Sequence, residues 1–409
     1  MRWLIFIIVF GIIDFYAFQA FKTVAKNNYF HLVYWVITLL VVGNFILRFY
    51  GLNRSDYGNS HAYAFAFLVA IIVPKMILMV LMFAEDIVRV PQTLYSYFFE
   101  NDNSGNSHMP SRRKFISQIA LGLAAIPFVS ILYGIYKGKY NFKVLNYTLY
   151  FKDLPTAFDG YRLTQISDIH SGSFDNPAKV EYAIDLINEQ QSDTILFTGD
   201  IVNNEASELT PYKTMFSKLN AKDGMYSVLG NHDYGDYIRW ESQEIKQKNL
   251  DDLIALQNEI GFDVLLNESR FIEREGERLA IVGVENWGAG GFKKAGDLKK
   301  AASNVNADDF KILLSHDPSH WEKEVIKDNY HYHLTLSGHT HGMQFGIEIP
   351  GWFKWSPVKW RYKYWAGIYE ELGQFINVNR GFGYLAFPGR VGIWPEITVI
   401  ELKKGSKPA

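Results

Sequence analysis

The sequence predicts a chain in two parts: transmembrane helices first, then an α/β domain of two packed sheets with helices outside. Three observations carry that reading. Four apolar stretches precede residue 137, each close to the length of a membrane span. Beyond residue 142, short strand-like runs alternate with amphipathic helix-like runs, and the chain finishes rich in strands. Five of the strands end in carboxylate, imidazole or carboxamide side chains.

A chain of 409 residues exceeds one typical domain. Its formal net charge of -2 offers no basic field for nucleic acid. It has no cysteine, which excludes disulfides, thiolate metal sites and a cysteine nucleophile.

The apolar stretches cover residues 3–21, 30–50, 62–84 and 115–136. Each approaches the ~20 residues that an α-helix needs to cross a hydrocarbon core. None keeps the polar stripe of a soluble amphipathic helix. Gly122, Pro127 and Gly134 interrupt the fourth, and spanning helices tolerate such residues. An anchor of about four transmembrane helices is therefore expected over residues 1–140, with the lipid bilayer as partner. Asp14 and Lys75 lie slightly past the midpoints of the first and third spans, which run in the same direction. They either pair inside the bundle, where a lone charge is costly, or snorkel to water. Residues 100–114 read as a polar linker that leads into Ser111-Arg112-Arg113-Lys114-Phe115-Ile116. That run resembles a twin-arginine export signal, although its position is internal. Read instead as a positive anchor, Arg112 and Arg113 stay in the cytoplasm as well. Both readings place the following domain on the extracytoplasmic side, whereas Lys137, Lys139 and Lys143 argue the reverse.

The second part is expected over residues 141–409. Residues 163–166, 194–197 and 225–229 read as strands. Helix-like runs follow at 179–189, with Val180, Ala183, Ile184 and Ile187 on one face, and at 211–219 and 250–260. Strands then dominate, at 279–284, 311–314, 333–336, 375–379 and 396–402. This order favours two packed sheets with helices outside.

The first strand leads into Asp168 and His170, the second into Gly199-Asp200, and the third into Gly230-Asn231-His232-Asp233. The strand at 311–314 leads into His316, and that at 333–336 into Gly338-His339-Thr340-His341. Sites in α/β folds form beyond the carboxyl ends of strands, and glycine lets the backbone turn sharply there. Any one set alone is more often structural: a capping pair, a turn or a satisfied core histidine. Five in order, all at strand ends, point to a metal centre. Carboxylate and imidazole without thiolate suit a divalent ion such as Mn, Fe or Zn. Two such ions about 3.5–4 Å apart clamp a phosphoryl group and ionise water at neutral pH. A ligand shared between them needs two acceptor oxygens, as a carboxylate has.

Taken together, Asp168-x-His170, Gly199-Asp200, Gly230-Asn231-His232-Asp233, His316 and Gly338-His339-Thr340-His341 resemble the calcineurin-like metallophosphoesterase superfamily, over residues 145–403. Ser167-Asp168-Ile169-His170-Ser171-Gly172 and the ending Asn379-Arg380-Gly381-Phe382-Gly383 are similar to its membrane-associated bacterial branch. That branch includes enzymes that hydrolyse the pyrophosphate of UDP-diacylglucosamine. Gly342-Met343-Gln344 departs mildly from the Gly-Gly-Gln usual there. The resemblance implies a metallophosphoesterase domain built as a β-sandwich flanked by helices, with two divalent metals. It implies Asp168, His170, Asp200 and His341 on one metal, and Asp200, Asn231, His316 and His339 on the other, with Asp200 bridging. His232 would stabilise or protonate the leaving oxygen, with Asp233 orienting its imidazole. The implied activity is hydrolysis of a phosphodiester or pyrophosphate bond, in a lipid-linked substrate, at a bacterial inner membrane.

Arg380 and Arg390 lie in glycine-rich turns. They either contact the substrate phosphate or bond loop carbonyls. Residues 351–365 (GWFKWSPVKWRYKYW) interleave aromatics with Lys354, Lys359, Arg361 and Lys363. The mix suits a membrane interface. Stacking on bases and a hairpin of cross-strand aromatic pairs are the alternatives. The substrate is expected between this loop and the metals. His31, His61, His108, His320, His331 and His333 are not expected to be ligands. Two other functions fit less well. A membrane scaffold or sensor with a weak phosphoesterase-like domain would not need the complete ligand set, and a nuclease would call for more positive charge.

Overall fold

The computed structural model describes residues 1–51, 58–99, 110–349 and 351–408. The chain separates into two compact units, one within residues 1–136 and the other from residue 137 onward.

The first unit is helical: α1 (Arg2–Val24), α2 (Asn28–Phe49), α3 (Asn59–Phe99) and α4 (Pro110–Tyr136). All four are long and apolar enough to cross a bilayer. Their large apolar side chains face outward, Leu39, Leu47, Phe115 and Ile126 among them. Ala17, Ala20, Ala120 and Ala124 pack inside with Leu78 and Met82. Small residues inside and large ones outside are the arrangement of helices packed in lipid. Asp14 and Lys75 pair: Lys75 Nζ lies 2.6 Å from Asp14 Oδ1 and donates to Thr38 Oγ1 at 2.6 Å. The Tyr34 hydroxyl donates to the same carboxylate at 2.5 Å.

The third helix is longer than its apolar stretch. α3 continues past residue 84 to Phe99, and residues 110–114, expected in a linker, already belong to α4. Arg113 supplies a reason, because it pairs with Asp86 at 3.1 Å and Glu85 at 3.5 Å on α3. The rest of the expected linker, residues 100–109 with His108, lies outside the described residues.

The second unit holds fourteen strands among the described residues. The first seven are β1 (Lys143–Phe151), β2 (Arg162–Ile166), β3 (Thr194–Phe197), β4 (Met225–Ser227), β5 (Phe262–Val264), β6 (Glu268–Arg274) and β7 (Glu277–Val284). The others are β8 (Phe310–Ser315), β9 (Leu334–Ser337), β10 (Ile347–Ile349), β11 (Phe353–Trp355), β12 (Gly367–Glu371), β13 (Gln374–Val378) and β14 (Glu396–Lys404). One sheet has the order β1-β14-β2-β3-β4-β5, the other β12-β13-β9-β8-β7-β6, and β10 and β11 form a separate hairpin. Strands β2 to β5 run parallel, as do β7, β8, β9 and β13.

Strand alternation builds the layers. Leu196 faces the second sheet and packs with Leu163, Ile281, Ile312, Leu314 and Leu336. Its neighbours Ile195 and Phe197 face the other way, onto Val180, Ala183, Ile184 and Ile187 of α5 (Pro177–Asn188). Asn176 caps α5 by accepting the Lys179 N–H, and Pro177 opens its first turn. The helix expected at 211–219 shrinks to α6 (Lys213–Phe216) behind a single 3₁₀ turn that holds Pro211. The helix expected at 250–260 is longer: α7 (Gln243–Glu259) starts where Ser242 accepts the Ile245 N–H. Its polar first turns carried no apolar period. The parallel strands β2, β3, β4, β8 and β9 bring their carboxyl ends, and the loops beyond them, to one site.

Candidate metal centre

The loops after those strands are wound tightly. Asp168, His170, Asp200, His339 and His341 all have positive φ, between 49 and 70°. For residues with a Cβ such a backbone costs about 1–3 kcal/mol each and persists only where the surroundings enforce it. The glycines beside them allow the close approach. A side chain at Gly338 would collide with Ser167 and Asp168, and one at Gly230 with Asp200.

Two clusters result. Asp168, His170 and His341 bring one ligand atom each within 4.8 Å of one another, and Asp200, His316 and His339 do the same. His170 Nε2 lies 3.0 Å from His341 Nε2, which is 3.2 Å from Asp168 Oδ1. His316 Nε2 lies 3.0 Å from Asp200 Oδ2 and 3.3 Å from His339 Nδ1. The far nitrogens are occupied. His170 Nδ1–H donates to Asn203 Oδ1 at 3.1 Å, His316 Nδ1–H donates to the Thr198 carbonyl at 2.7 Å, and His339 Nε2 meets the Tyr362 hydroxyl at 2.8 Å. Such partners fix which nitrogen is left for a metal.

Asp200 joins the clusters through one oxygen. Its Oδ2 is 3.0 Å from His316 Nε2 and 3.7 Å from His170 Nε2. Its Oδ1 accepts the His232 N–H at 2.7 Å. Oδ1 thus carries a backbone hydrogen bond and keeps a second lone pair, while Oδ2 is the oxygen that lies near both clusters.

The electrostatics suit a cation. Burial alone would raise the Asp168 carboxyl, but His341 and His316 hold it below its ordinary value. Burial and His341 push His170 well down, and burial pushes His339 down to about 4. Against the cost of burial, Asp200 and Asp168 push His316 up to about 10. A divalent ion would take the place of that proton, since metal ligands bind deprotonated.

Asn231 also fits a metal. Its Nδ2–H donates to the Tyr237 hydroxyl at 2.7 Å, while its Oδ1 is buried without a partner. An orphaned buried acceptor is costly unless something fills it.

His232 lines the adjoining cavity, but Asp233 does not orient it. His232 Nδ1–H donates to the Asn203 carbonyl at 2.8 Å. The Asp233 carboxylate turns to the backbone, accepting N–H groups of Asp200 at 2.9 Å, Ile201 at 2.8 Å and Gly230 at 2.8 Å. Its role is to hold the loops after β3 and β4 together. Asn203 and Tyr237, which carried no sequence signal, bond His232 and Asn231 instead.

The cavity has a volume of about 380 Å³. Its lining includes His170, Asp200, Asn231, His232, His339 and His341 together with Phe292, Met343, Pro357, Trp360, Arg361 and Tyr362. The aromatic and basic segment therefore adjoins the candidate ligands, with the Tyr362 hydroxyl 2.8 Å from His339 Nε2. Neither Arg380 nor Arg390 lines the cavity. Arg380 is spent on Glu396 and Glu348, at 2.5 and 2.6 Å. Arg390 is buried and donates to the Gly381 and Gly383 carbonyls. Arg380 is neutralised by carboxylates inside the fold, whereas Arg390 sits behind a candidate ligand, its Nη2 3.3 Å from His341 Nδ1. Neither cluster includes His31, His61, His320, His331 or His333.

Residues 161–343 match the calcineurin-like phosphoesterase family. Residues 1–139 match a family described as probable calcineurin-like phosphoesterase, transmembrane domain. The uncharacterized metallophosphoesterase YkuE of Bacillus subtilis is 29% identical over 299 residues, which cover 72% of this chain and 98% of YkuE. Phosphodiesterase YaeI of Escherichia coli is 28% identical over 296 residues, 72% of this chain and 100% of YaeI. The transmembrane protein with metallophosphoesterase domain of Danio rerio is 27% identical over 289 residues, 68% of this chain and 61% of its own length.

Proposed function

The chain belongs to the calcineurin-like phosphoesterases, and from that premise we propose that it uses two divalent ions to hydrolyse a phosphodiester or pyrophosphate bond in a lipid-linked substrate. It is a membrane-anchored, metal-dependent phosphoesterase.

One observation carries the reading, the reach of Asp200 Oδ2 to both clusters. Asp168, His170 and His341 would hold one ion, with Asn231, His316 and His339 on the other and Asp200 between them. When bound, such a pair supplies charge neutralisation at the phosphoryl group and a water ionised near neutral pH. His232, fixed through Nδ1, keeps Nε2 for the leaving oxygen. Arg361 takes the place expected of Arg380 and Arg390. It lines the cavity, stacks on Phe292 and Tyr362 at 5.2 and 5.4 Å, and has no carboxylate partner among the described residues. A second phosphate of the substrate would pair with its guanidinium. The exposed Met343 and Trp360 beside it suit an acyl chain.

We infer a bacterial inner-membrane location with the hydrolase domain on the extracytoplasmic side, as Arg112 and Arg113 precede the last span. Lys139, which argued the reverse, is buried against Asp175 at 2.5 Å.

The test is hydrolysis by the full chain, loaded with manganese, of a nucleotide-linked diacyl pyrophosphate, a polyprenyl phosphate, a phospholipid, duplex DNA and bis-(p-nitrophenyl) phosphate. A lipid-linked substrate should be turned over fastest, Asp200→Asn should abolish turnover, and Arg361→Ala should raise KM more than it lowers kcat. Metal-loaded protein inert toward all five would favour the scaffold reading.

A further inference from the structure

The hairpin of β10 and β11 is turned inside out. Its register pairs Ile347 with Trp355, Glu348 with Lys354 and Ile349 with Phe353. Alternation puts Ile347, Ile349, Phe353 and Trp355 on one face and the charged pair on the other. The charged face bonds the rest of the domain, Glu348 half-buried and Lys354 exposed along its stem. Glu348 takes Arg380 at 2.6 and 2.9 Å, and Lys354 Nζ donates to the Ala366 carbonyl at 2.6 Å. The apolar face is left outward: Ile347 is 54% exposed, Phe353 48%, and Trp352 at the turn 80%. A hairpin on a soluble domain does the reverse, packing its apolar face on the core. The hairpin also sits between two cavity-lining stretches, with Met343 before it and Pro357 after it. Lys359 and Arg361 follow at its base, both exposed and without a carboxylate partner among the described residues.

We propose that this hairpin inserts its apolar face into a bilayer whose surface carries anionic phospholipid. Isoleucine and aromatic side chains enter the acyl boundary, while Lys359 and Arg361 meet headgroup phosphates. The charge selects lipid over a second copy of this chain, whose matching surface would bring the same cations. The spanning helices already hold the chain at a bilayer. Insertion itself does not depend on hydrolysis. Its consequence, a cavity mouth opening at the lipid surface, rests on the functional reading above.

The chain has no cysteine, so Trp352→Cys and Lys248→Cys each create a single labelling site. Lys248 is a control on α7 with a side chain 74% exposed. Each full-length variant, carrying an environment-sensitive fluorophore, is reconstituted in phosphatidylcholine nanodiscs with and without phosphatidylglycerol. The label at 352 should shift to the blue, resist aqueous dithionite and be quenched by spin-labelled lipid, more so with phosphatidylglycerol. The label at 248 should stay aqueous. Equal dithionite rates at both sites would overturn the proposal. So would protection at 352 without quenching by lipid, which would mean that protein covers the face. Hydrolysis of bis-(p-nitrophenyl) phosphate in the same samples reports on the catalytic reading separately.

Discussion

The Tyr237 hydroxyl accepts the Asn231 Nδ2–H at 2.7 Å and so fixes the carboxamide of this cavity-lining residue, whose oxygen is buried without a partner. Tyr237 also packs its ring on His232, with centroids 4.3 Å apart. Tyr237→Phe keeps the ring and removes the hydroxyl. Metal affinity should fall about tenfold, as for other lost partners of metal ligands, while overall stability barely changes. Manganese titration together with a thermal melt checks this, and unchanged affinity would release Asn231 from its role.

Asp233 gives a contrasting expectation. Four backbone N–H groups aim at its carboxylate, so Asp233→Asn sets an amide against donors. Stability should drop by about 2 kcal/mol or more. A residue that merely oriented His232 would lower kcat and leave the melting temperature alone. Denaturation of the full chain in detergent separates the two roles.

Within the helical unit, Asp14→Asn strands a buried ammonium that Thr38 and the Tyr34 ring alone cannot neutralise. A loss of about 3–5 kcal/mol is expected for a broken buried pair. Adding Lys75→Met should restore part of it, with a coupling above about 1 kcal/mol in a double-mutant cycle. Additive losses would show that the two charges do not depend on each other.

His333 should make stability depend on pH. Its Nδ1 accepts the Lys311 N–H at 3.0 Å, and its Nε2–H donates to Asp153 at 2.8 Å. Burial pushes the imidazole down from 6.5 to about 4. The unfolded chain therefore takes up the proton first. The stabilisation is complete above about 6.5 and is lost as pH falls through the window down to about 4. The melting temperature of the wild-type chain should fall more steeply across that window than that of His333→Gln. Parallel curves would remove His333 from the account.

The candidate ligands were legible because chemistry-bearing residues stand where buried strands stop. Asp168 follows Ile166 and His316 follows Leu314, and in both cases an apolar run yields abruptly to polar residues beside a turn. Their partners were not legible. Asn203 serves His170 with its side chain and His232 with its carbonyl, and a carbonyl leaves no mark in a sequence. Asp233 looked like a partner of His232 because the two are adjacent, yet neighbours on a turn point apart. Arg380 read as a phosphate contact because Glu348 and Glu396, which neutralise it, lie in other elements of the fold. The extension of α3 was hidden for a similar reason. Hydropathy fades at Glu85, Asp86 and Arg89, while ion pairs along the helix and to Arg113 keep it wound.

Metal content decides whether Asp200 is shared by two metal positions in one site. Purified full-length chain, equilibrated with manganese and freed of excess, should carry two equivalents by plasma mass spectrometry, and Asp200→Asn should carry fewer. One equivalent or none in the wild-type chain, or two in Asp200→Asn, would contradict the account.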